Sequence, residues 1–205
     1  MSLLNLAVQK EVGLLCVDTT TQSEDGSYCE RSKMLHLGHI NGVVACRGDI
    51  HFLVFLFAGL GIEPPTDFDA LLESWPRRLA AATEPYLQQV RQPAPGADPV
   101  GCFVALLGWS RACGRPVCHK AERESASEPF EIETTNCSVG PVPDYPPPDL
   151  TVMQVPDAIR TMEALAYVQV RKVRRERPGY PIGGRLLLAE VTREGTSIRE
   201  LATLG

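Results

Sequence analysis

Four residues in the first quarter of the chain are of types that carry out chemistry at a carbonyl group: Ser2, Asp18, Lys33 and Gly48. A serine hydroxyl becomes a nucleophile when a neighbouring base removes its proton. An ammonium group lowers the pKa of an amine beside it, and a carboxylate holds that ammonium in place. A glycine just before a helix presents a backbone N–H to developing negative charge. These residues form a candidate site if the fold brings them together.

A first hairpin is expected to position two of them. It folds the opening strand (residues 3–10) back on the next strand about a turn near Lys10-Glu11. Such a turn places Ser2 beside Asp18 or Thr19 at the open end of the hairpin. If Ser2 opposes Asp18, one face of the hairpin carries Leu4, Leu6, Val8, Val12, Leu14 and Cys16. Both faces are mostly apolar, so we expect the hairpin to lie within a sheet that is covered on two sides.

A second hairpin is expected to position the other two candidates. Asn41-Gly42 is a strong two-residue turn signal, and folding about it brings Lys33 close to Gly48-Asp49 at the open end. A loop over residues 20–32 joins this open end to that of the first hairpin. Strand pairing alone therefore predicts that all four candidates meet in one place.

Helices and strands follow in blocks. Asp49 is a good N-cap for a helix over residues 50–60, and Gly59 and Gly61 are expected to close it. The helix is apolar on nearly all sides, so we expect it to be buried. A second, amphipathic helix starts at Asp67, and Pro76 kinks it or marks a new start. Later segments are predicted as a loop over 92–99, strands over 102–110, 116–122 and 130–136, a proline-rich crossover over 140–149, a helix from Asp157 to Arg177, a strand over 185–192 and a short final strand or turn.

This order favours an antiparallel α+β architecture over a doubly wound sheet, because strands and helices alternate in blocks rather than one by one. With strands that are apolar on both faces, two sheets between helix layers is the natural arrangement. The length of 205 residues favours one domain spanning 1–205.

Composition excludes several functional classes. The net charge of −5 argues against nonspecific nucleic-acid binding. The longest apolar run, over residues 52–62, is too short to span a bilayer, and we read no secretory signal at the start. Seven scattered cysteines indicate a reduced, cytoplasmic protein rather than a disulfide framework.

We also expect neither a metal nor another cofactor. His36, His39, His51 and Cys46 do not form a ligand set, because His36 and His39 would lie on opposite faces of a continued strand. Cys113, Cys118 and His119 lack the second half of a zinc site. The sequence has no glycine-rich phosphate loop, GxSxG elbow or HExxH motif.

Three segments resemble the proteasome β-subunit branch of the N-terminal nucleophile hydrolases. They are VDTTT, then KMLHL, then VVACRGD leading into an apolar helix, and the later PIGGRLLLAEVT with its Gly183-Gly184 pair is similar too. The resemblance runs over nearly the whole chain in element order. It implies a four-layer αββα sandwich, hydrolysis of a peptide or small amide substrate by an N-terminal residue, and homo-oligomers of ring shape.

The resemblance also implies roles for the four candidates. Asp18 matches the family's aspartate at the end of the second strand, and Lys33 matches the lysine that opens the next one. Gly48 matches the glycine whose N–H helps to form the oxyanion hole, a donor typically worth ~3 kcal/mol. Ser2 falls at the nucleophile position once Met1 is removed, and its own α-amine, with a reference pKa near ~8, serves as the base.

The chain departs from the family at three positions. Thr20 stands where the family usually has an arginine or similar residue, and Gly179 and Ile182 stand where proteolytic members have an aspartate and a serine. Two hypotheses therefore remain. The chain is an amidohydrolase or peptidase that uses Ser2, or it is a catalytically silent proteasome-like subunit that acts in assembly or binding, with Asp18 and Lys33 as a buried structural ion pair.

Overall fold

The computed structural model describes residues 2–23, 26–90, 100–125 and 128–205. In this part of the chain, every pairing between strands is antiparallel. The expected order of strands, two helices, strands, one helix and strands is confirmed, and the fold class is α+β. The loop predicted over 92–99 lies outside the described residues. No helix within the described ranges has the length and apolarity needed to cross a membrane.

The strands form two five-stranded sheets and a short ribbon. The strands of the first sheet are β1 (Leu4–Val8), β2 (Gly13–Asp18), β10 (Cys137–Gly140), β11 (Arg185–Val191) and β12 (Thr196–Thr203). Those of the second are β5 (Met34–Leu37), β6 (Gly42–Arg47), β7 (Val100–Ser110), β8 (Arg115–Ser125) and β9 (Glu131–Thr134). The first sheet has the order β10-β1-β2-β11-β12, and the second has the order β5-β6-β7-β8-β9.

The ribbon and the strand β10 were not expected. β3 (Thr20–Gln22) and β4 (Tyr28–Glu30) pair with each other where the sequence predicted a loop over 20–32. β10 ends at Gly140, where the sequence predicted that the crossover begins, and it pairs with β1 at the edge of the first sheet. Both are strands of three or four residues, which are too short for an alternating pattern to stand out in the sequence.

Three helices complete the described fold: α1 (His51–Ile62), α2 (Phe68–Val90) and α3 (Val155–Glu176). Asp67 caps α2 by accepting the N–H of Ala70 at 2.8 Å, and the helix continues through Pro76 without a new start. The prediction that Asp157 caps α3 was wrong. The cap position is Gln154, and Asp157 lies in the first turn of the helix instead.

Buried side chains form three apolar clusters that join these elements. One cluster joins α1 and α2 to the second sheet, with Phe52, Trp75 and Val104 among its members. A second joins both five-stranded sheets and includes Leu15 and Val43. A third joins the first sheet to α3, and the three clusters together hold most of the buried apolar side chains.

The first hairpin has the predicted turn but not the register that we used to assign its faces. The N–H of Gln9 donates to the carbonyl of Val12 at 2.9 Å around Lys10-Glu11. Leu4 therefore pairs with Val17, which would place Ser2 opposite Thr19 rather than Asp18. A shift of one residue exchanges the two faces of a strand. Leu4 and Leu6 consequently share the cluster between the sheets with Leu15 and Val17, whereas Leu14 and Cys16 face α3.

The turn predicted for the second hairpin was wrong. Residues 38–40 form a short 3-10 helix, Asn41 follows with a left-handed φ of 54°, and Gly42 is already the first residue of β6. The side chain of Asn41 explains the difference. Its amide donates to the carbonyl of Thr192 at 2.8 Å and accepts the hydroxyl of Thr196 at 2.7 Å. These partners lie on the β11–β12 hairpin, far from Asn41 in the sequence, so the local turn signal at Asn41-Gly42 contains no information about them.

The predicted burial of α1 was also wrong, as was its closure by Gly59 and Gly61. The helix runs through both glycines to Ile62. Phe52, Leu53, Leu56 and Leu60 are buried, but the opposite side of the helix is exposed. The prediction that Asp49 is the N-cap was wrong by one residue, because the cap position is Ile50, whose side chain makes no cap bond. Asp49 lies just before it, and its carboxylate accepts the N–H of His51 at 2.9 Å.

Candidate active site

The carboxylate of Asp18 lies at the end of β2, at the open ends of both hairpins, and is fully buried. One of its oxygens, Oδ1, accepts the backbone N–H of Leu3 at 2.9 Å and the ammonium of Lys33 at 2.8 Å. The other, Oδ2, accepts the N–H of Gly183 at 3.0 Å. Both oxygens of this buried charge are therefore satisfied by groups from three separate segments.

Lys33 reaches Asp18 from the segment just before β5. Its carbonyl accepts the N–H of Cys46 at 2.9 Å, so Lys33 lies opposite Cys46 rather than opposite Gly48-Asp49, where a two-residue turn would have placed it. The ammonium is buried. Burial lowers the pKa of Lys33, and the negative charge of Asp18 opposes that shift.

Ser2 is buried and lies directly beside the ion pair, because the nitrogen of Leu3 that donates to Asp18 is the other end of the Ser2 peptide bond. Gly48 follows β6, two residues after the partner of Lys33 in the ladder. The structure thus brings Asp18 and Lys33 into contact, with Ser2 covalently next to that contact and Gly48 on the same end of the second sheet.

Gly48 has a backbone conformation that only glycine adopts readily. Its φ is +111°, and a Cβ atom built at this position would lie 2.6 Å from the carbonyl oxygen of Gly101. Both the dihedral and the close approach of β7 require glycine. Because the requirement is one of shape, it explains the presence of this residue independently of any chemistry.

Gly183 and Thr19 support the site, and sequence reasoning gave them no such role. Gly183, with a φ of +124°, donates to Asp18, and its carbonyl accepts the N–H groups of Thr19 at 3.2 Å and Thr20 at 3.1 Å. The buried hydroxyl of Thr19 accepts the N–H of Arg185 at 2.8 Å. The paired glycines at 183 and 184 were the available signal, because consecutive glycines often mark a turn with positive φ.

Two of the three departing positions, 179 and 182, hold no side chain that could act on a substrate. Ile182 is buried in the apolar cluster with α3. Gly179 has a φ of +83°, and its carbonyl accepts the hydroxyl of Tyr28 on the β3–β4 ribbon. Both residues shape the turn that leads to Gly183.

A cavity of about 270 Å³ opens beside Gly48. Within it, the guanidinium of Arg47 lies 5.0 Å from the ring centre of Phe103 and 3.4 Å from the carboxylate of Glu122. Burial lowers the pKa of Arg47. The cavity is lined by Arg47, Gly48, Gly101, Cys102, Phe103, Glu122, Arg123, Glu124, Arg177 and Tyr180.

A larger cavity, of about 710 Å³, lies at the opposite end of the sheets. It is lined by residues from the turns that close the hairpins, including Glu11, Asn41, Gly114 and Gly195. The Asp18–Lys33 pair lies at the open ends of the first two hairpins, so this larger cavity is not part of the candidate site.

The histidines and cysteines considered as metal ligands do not converge. In the described ranges, no group of three or more His, Cys, Asp or Glu side chains is placed to hold a metal ion. The imidazole of His51 contacts the carboxylate of Asp49 at 3.0 Å, and the hydroxyl of Tyr86 donates to the other oxygen of Asp49 at 2.9 Å. This network joins the start of α1 to α2.

Comparison of the sequence with protein-family models finds no match, and comparison with curated proteins finds no significant relative.

Proposed function

We propose that this chain is an N-terminal nucleophile hydrolase of the proteasome β-subunit type, which cleaves a peptide or small amide bond with Ser2. The observation that carries the proposal is the buried contact between Lys33 and Asp18, directly beside the peptide group that follows Ser2. A buried ion pair is costly to hold in a fold for stability alone. The ion pair lies beside the start of the chain, where this chemistry needs an ammonium group and a carboxylate.

The proposed reaction begins at the α-amine of a mature chain that starts at Ser2. The neutral amine takes the proton of the Ser2 hydroxyl while the hydroxyl oxygen attacks the carbonyl carbon of the substrate. The positive charge of Lys33 nearby favours the neutral form of the amine at physiological pH. Asp18 holds Lys33 in position.

As the attack proceeds, negative charge forms on the substrate oxygen, and this oxygen accepts a hydrogen bond from the N–H of Gly48. When the tetrahedral intermediate collapses, the amide C–N bond breaks and the protonated α-amine gives its proton to the leaving amine. A water molecule then hydrolyses the ester on Ser2 by the same sequence of proton transfers, which regenerates the hydroxyl.

The fold supports the same proposal. One apolar cluster joins α1 and α2 to a sheet, one joins the two sheets and one joins the other sheet to α3. This succession is the one expected of a four-layer αββα sandwich in a single domain over 1–205. All seven cysteines are free, which supports a cytoplasmic protein, and we propose that it works as a homo-oligomer.

Hydrolysis by a Ser2→Ala variant tests the proposal. The assay follows release of a fluorescent amine from a panel of peptide amides. We expect the wild-type protein to hydrolyse members of the panel and Ser2→Ala to lose at least ~10³-fold in rate, because the variant has no nucleophile. Ser32→Ala is the matched control and should retain full activity, since the Ser32 hydroxyl bonds to the backbone of Met34, two positions along the chain, and to no other group among the described residues.

The alternative, a catalytically silent subunit that acts in assembly or binding, is favoured by positions 179 and 182. The structure uses Ile182 as a buried apolar residue and Gly179 as a turn residue. Under this alternative, Asp18 and Lys33 only join the start of β1 to the β11 turn. Wild-type protein that is folded and oligomeric but hydrolyses no member of the panel would support it.

A further inference from the structure

The outer side of α1 is an apolar surface that no described part of the chain covers. From Phe52 to Ile62 the helix has no polar side chain. Val54 is 61% exposed, Phe57 53% and Ile62 86%. A helix that faces water normally carries polar residues on its outer side. The six exposed residues of this helix are all non-polar: Val54, Phe57, Ala58, Gly59, Gly61 and Ile62.

These residues form a continuous stripe, because positions three, four, seven and eight apart lie on the same side of a helix. Val54, Ala58 and Ile62 follow one line, and Phe57 lies beside it. A groove of about 690 Å³ between α1 and α2 borders the stripe and shares Ala58, Gly59 and Ile62 with it. The surface therefore presents a protruding aromatic ring next to a mostly apolar hollow, and we call it the α1 face.

A second copy of the chain fits this arrangement. In a two-fold contact the same patch of each copy meets its counterpart, so a projection and a hollow side by side can fill each other. The ring of Phe57 from one copy would enter the α1–α2 groove of the other. Gly59 allows close approach, since no atom lies within 4 Å of a Cβ built there.

The charges at the rim agree with a two-fold contact. Glu63 lies 2.9 Å from Arg77 and 3.9 Å from Arg78 at the edge of the groove. Because both signs are present on one rim, the rim of a second copy can meet opposite charges rather than like ones. A surface that binds anionic lipid would instead need unpaired cations, whereas these two arginines already have a carboxylate and the chain is negatively charged overall.

We propose that the α1 face is a two-fold interface between copies of this chain. Contacts between identical subunits are more apolar than contacts between different proteins, which carry more hydrogen-bonding side chains. The α1 face has this apolar character. The proposal stands on the exposure of α1 and not on hydrolysis, so either can fail without the other.

Sedimentation equilibrium over a wide range of protein concentration tests the interface. We expect the wild-type chain to form dimers or even-numbered assemblies. Phe57→Glu and, separately, Ile62→Glu should raise the dissociation constant by roughly a hundredfold or more, because each places a charge in a desolvated apolar contact. Val152→Glu is the matched control, since Val152 is 77% exposed and lies just before α3.

Circular dichroism of each variant shows whether it is folded, and hydrogen exchange of the wild-type chain gives a second measurement that needs no substitution. The amides of α1 should become better protected as concentration rises. A wild-type chain that stays monomeric throughout, or assemblies that both glutamate variants leave intact, would overturn the proposal. Binding of monomers to lipid vesicles through this face would overturn it as well.

Discussion

The Asp18 site and the α1 face depart from the usual distribution of residues in opposite directions. At the first, two charged side chains lie inside the fold, where charges are rare. On the second, large apolar side chains lie outside, on a helix without a polar residue beyond its first turn. One region buries what normally faces water, and the other exposes what normally lies inside.

The difference lies in how each departure is compensated. The charge of Asp18 receives hydrogen bonds from Leu3, Lys33 and Gly183, so the chain stabilises this region by itself. The α1 face has no such partner within the described residues. Because groups of the same chain compensate the charge of Asp18, we interpret its surroundings as a site that must keep one geometry. Because the α1 face has no such compensation, we interpret it as a surface that a second molecule covers.

The largest effect is expected from Asp18→Asn. The substitution leaves the buried ammonium of Lys33 without an opposite charge, which typically costs about 3–5 kcal/mol. Chemical denaturation measures the loss. The control is Glu30→Gln, which breaks the exposed ion pair with Arg185 at 2.7 Å and should cost less than about 1 kcal/mol. Equal losses of stability for the two variants would contradict the claim that groups of the same chain compensate the buried charge of Asp18.

Two phenylalanines of α1 sharpen the comparison within a single helix. Phe52→Ala removes a buried ring that contacts Tyr86 and Phe130, and we expect it to destabilise the chain by about 3–5 kcal/mol. Phe57→Ala removes an exposed ring and should change the stability of the monomer by less than about 0.5 kcal/mol. Denaturation in dilute solution measures both. A large loss for Phe57→Ala in the monomer would mean that the chain itself covers this residue.

Gly48→Ala should destabilise the chain by about 1–3 kcal/mol, because alanine is strained at a φ of +111° and its Cβ would collide with the carbonyl of Gly101. Gly59→Ala is the control. It has open space in a helix, where alanine is favoured over glycine by about 1 kcal/mol. The midpoint temperature of thermal unfolding, measured on the dilute monomer, should therefore fall for Gly48→Ala and rise for Gly59→Ala. A stabilising Gly48→Ala would contradict the described backbone.

The smallest effect concerns the proton of Lys33. Burial lowers its pKa below the ordinary value of 10.5, so the folded chain releases this proton at a pH where the unfolded chain still holds it. Between the two pKa values, the contribution of Lys33 to stability therefore rises with pH. NMR titration of the lysine side chains measures the shift directly. Lys120, whose pKa is raised by its hydrogen bond to Glu133, should titrate above 10.5 in the same experiment, and the reverse order would contradict the burial of Lys33.

The first hairpin was predictable because it depends on local signals. Two apolar strands joined by Lys10-Glu11 define a hairpin, and the pairing carries residue 18 to the start of the chain. The faces were assigned wrongly because one residue of register exchanges them. Long-range bonds decided the second hairpin, where Asn41 bonds to the β11–β12 hairpin instead of forming its own two-residue turn.

The support of the site was harder to predict than its charges. Asp18 and Lys33 stand out by type, but the donor at Gly183 is a backbone group that 165 positions of sequence separate from Asp18. The exposure of α1 could not be predicted either, since an all-apolar helix predicts burial without saying whether the same chain supplies the cover. The apolar sequence predicts that α1 needs cover, and only the structure shows that the described residues leave one side of it exposed.

The most direct test of the central claim is the intact mass of the natively expressed protein before and after treatment with an epoxyketone or β-lactone probe of N-terminal nucleophiles. We expect the native chain to lack Met1 and to gain one probe molecule, attached at Ser2, whereas the Ser2→Ala variant should gain none. A native chain that retains Met1, or one that starts at Ser2 and remains unlabelled, would contradict the claim that Ser2, Lys33 and Asp18 form a hydrolytic site.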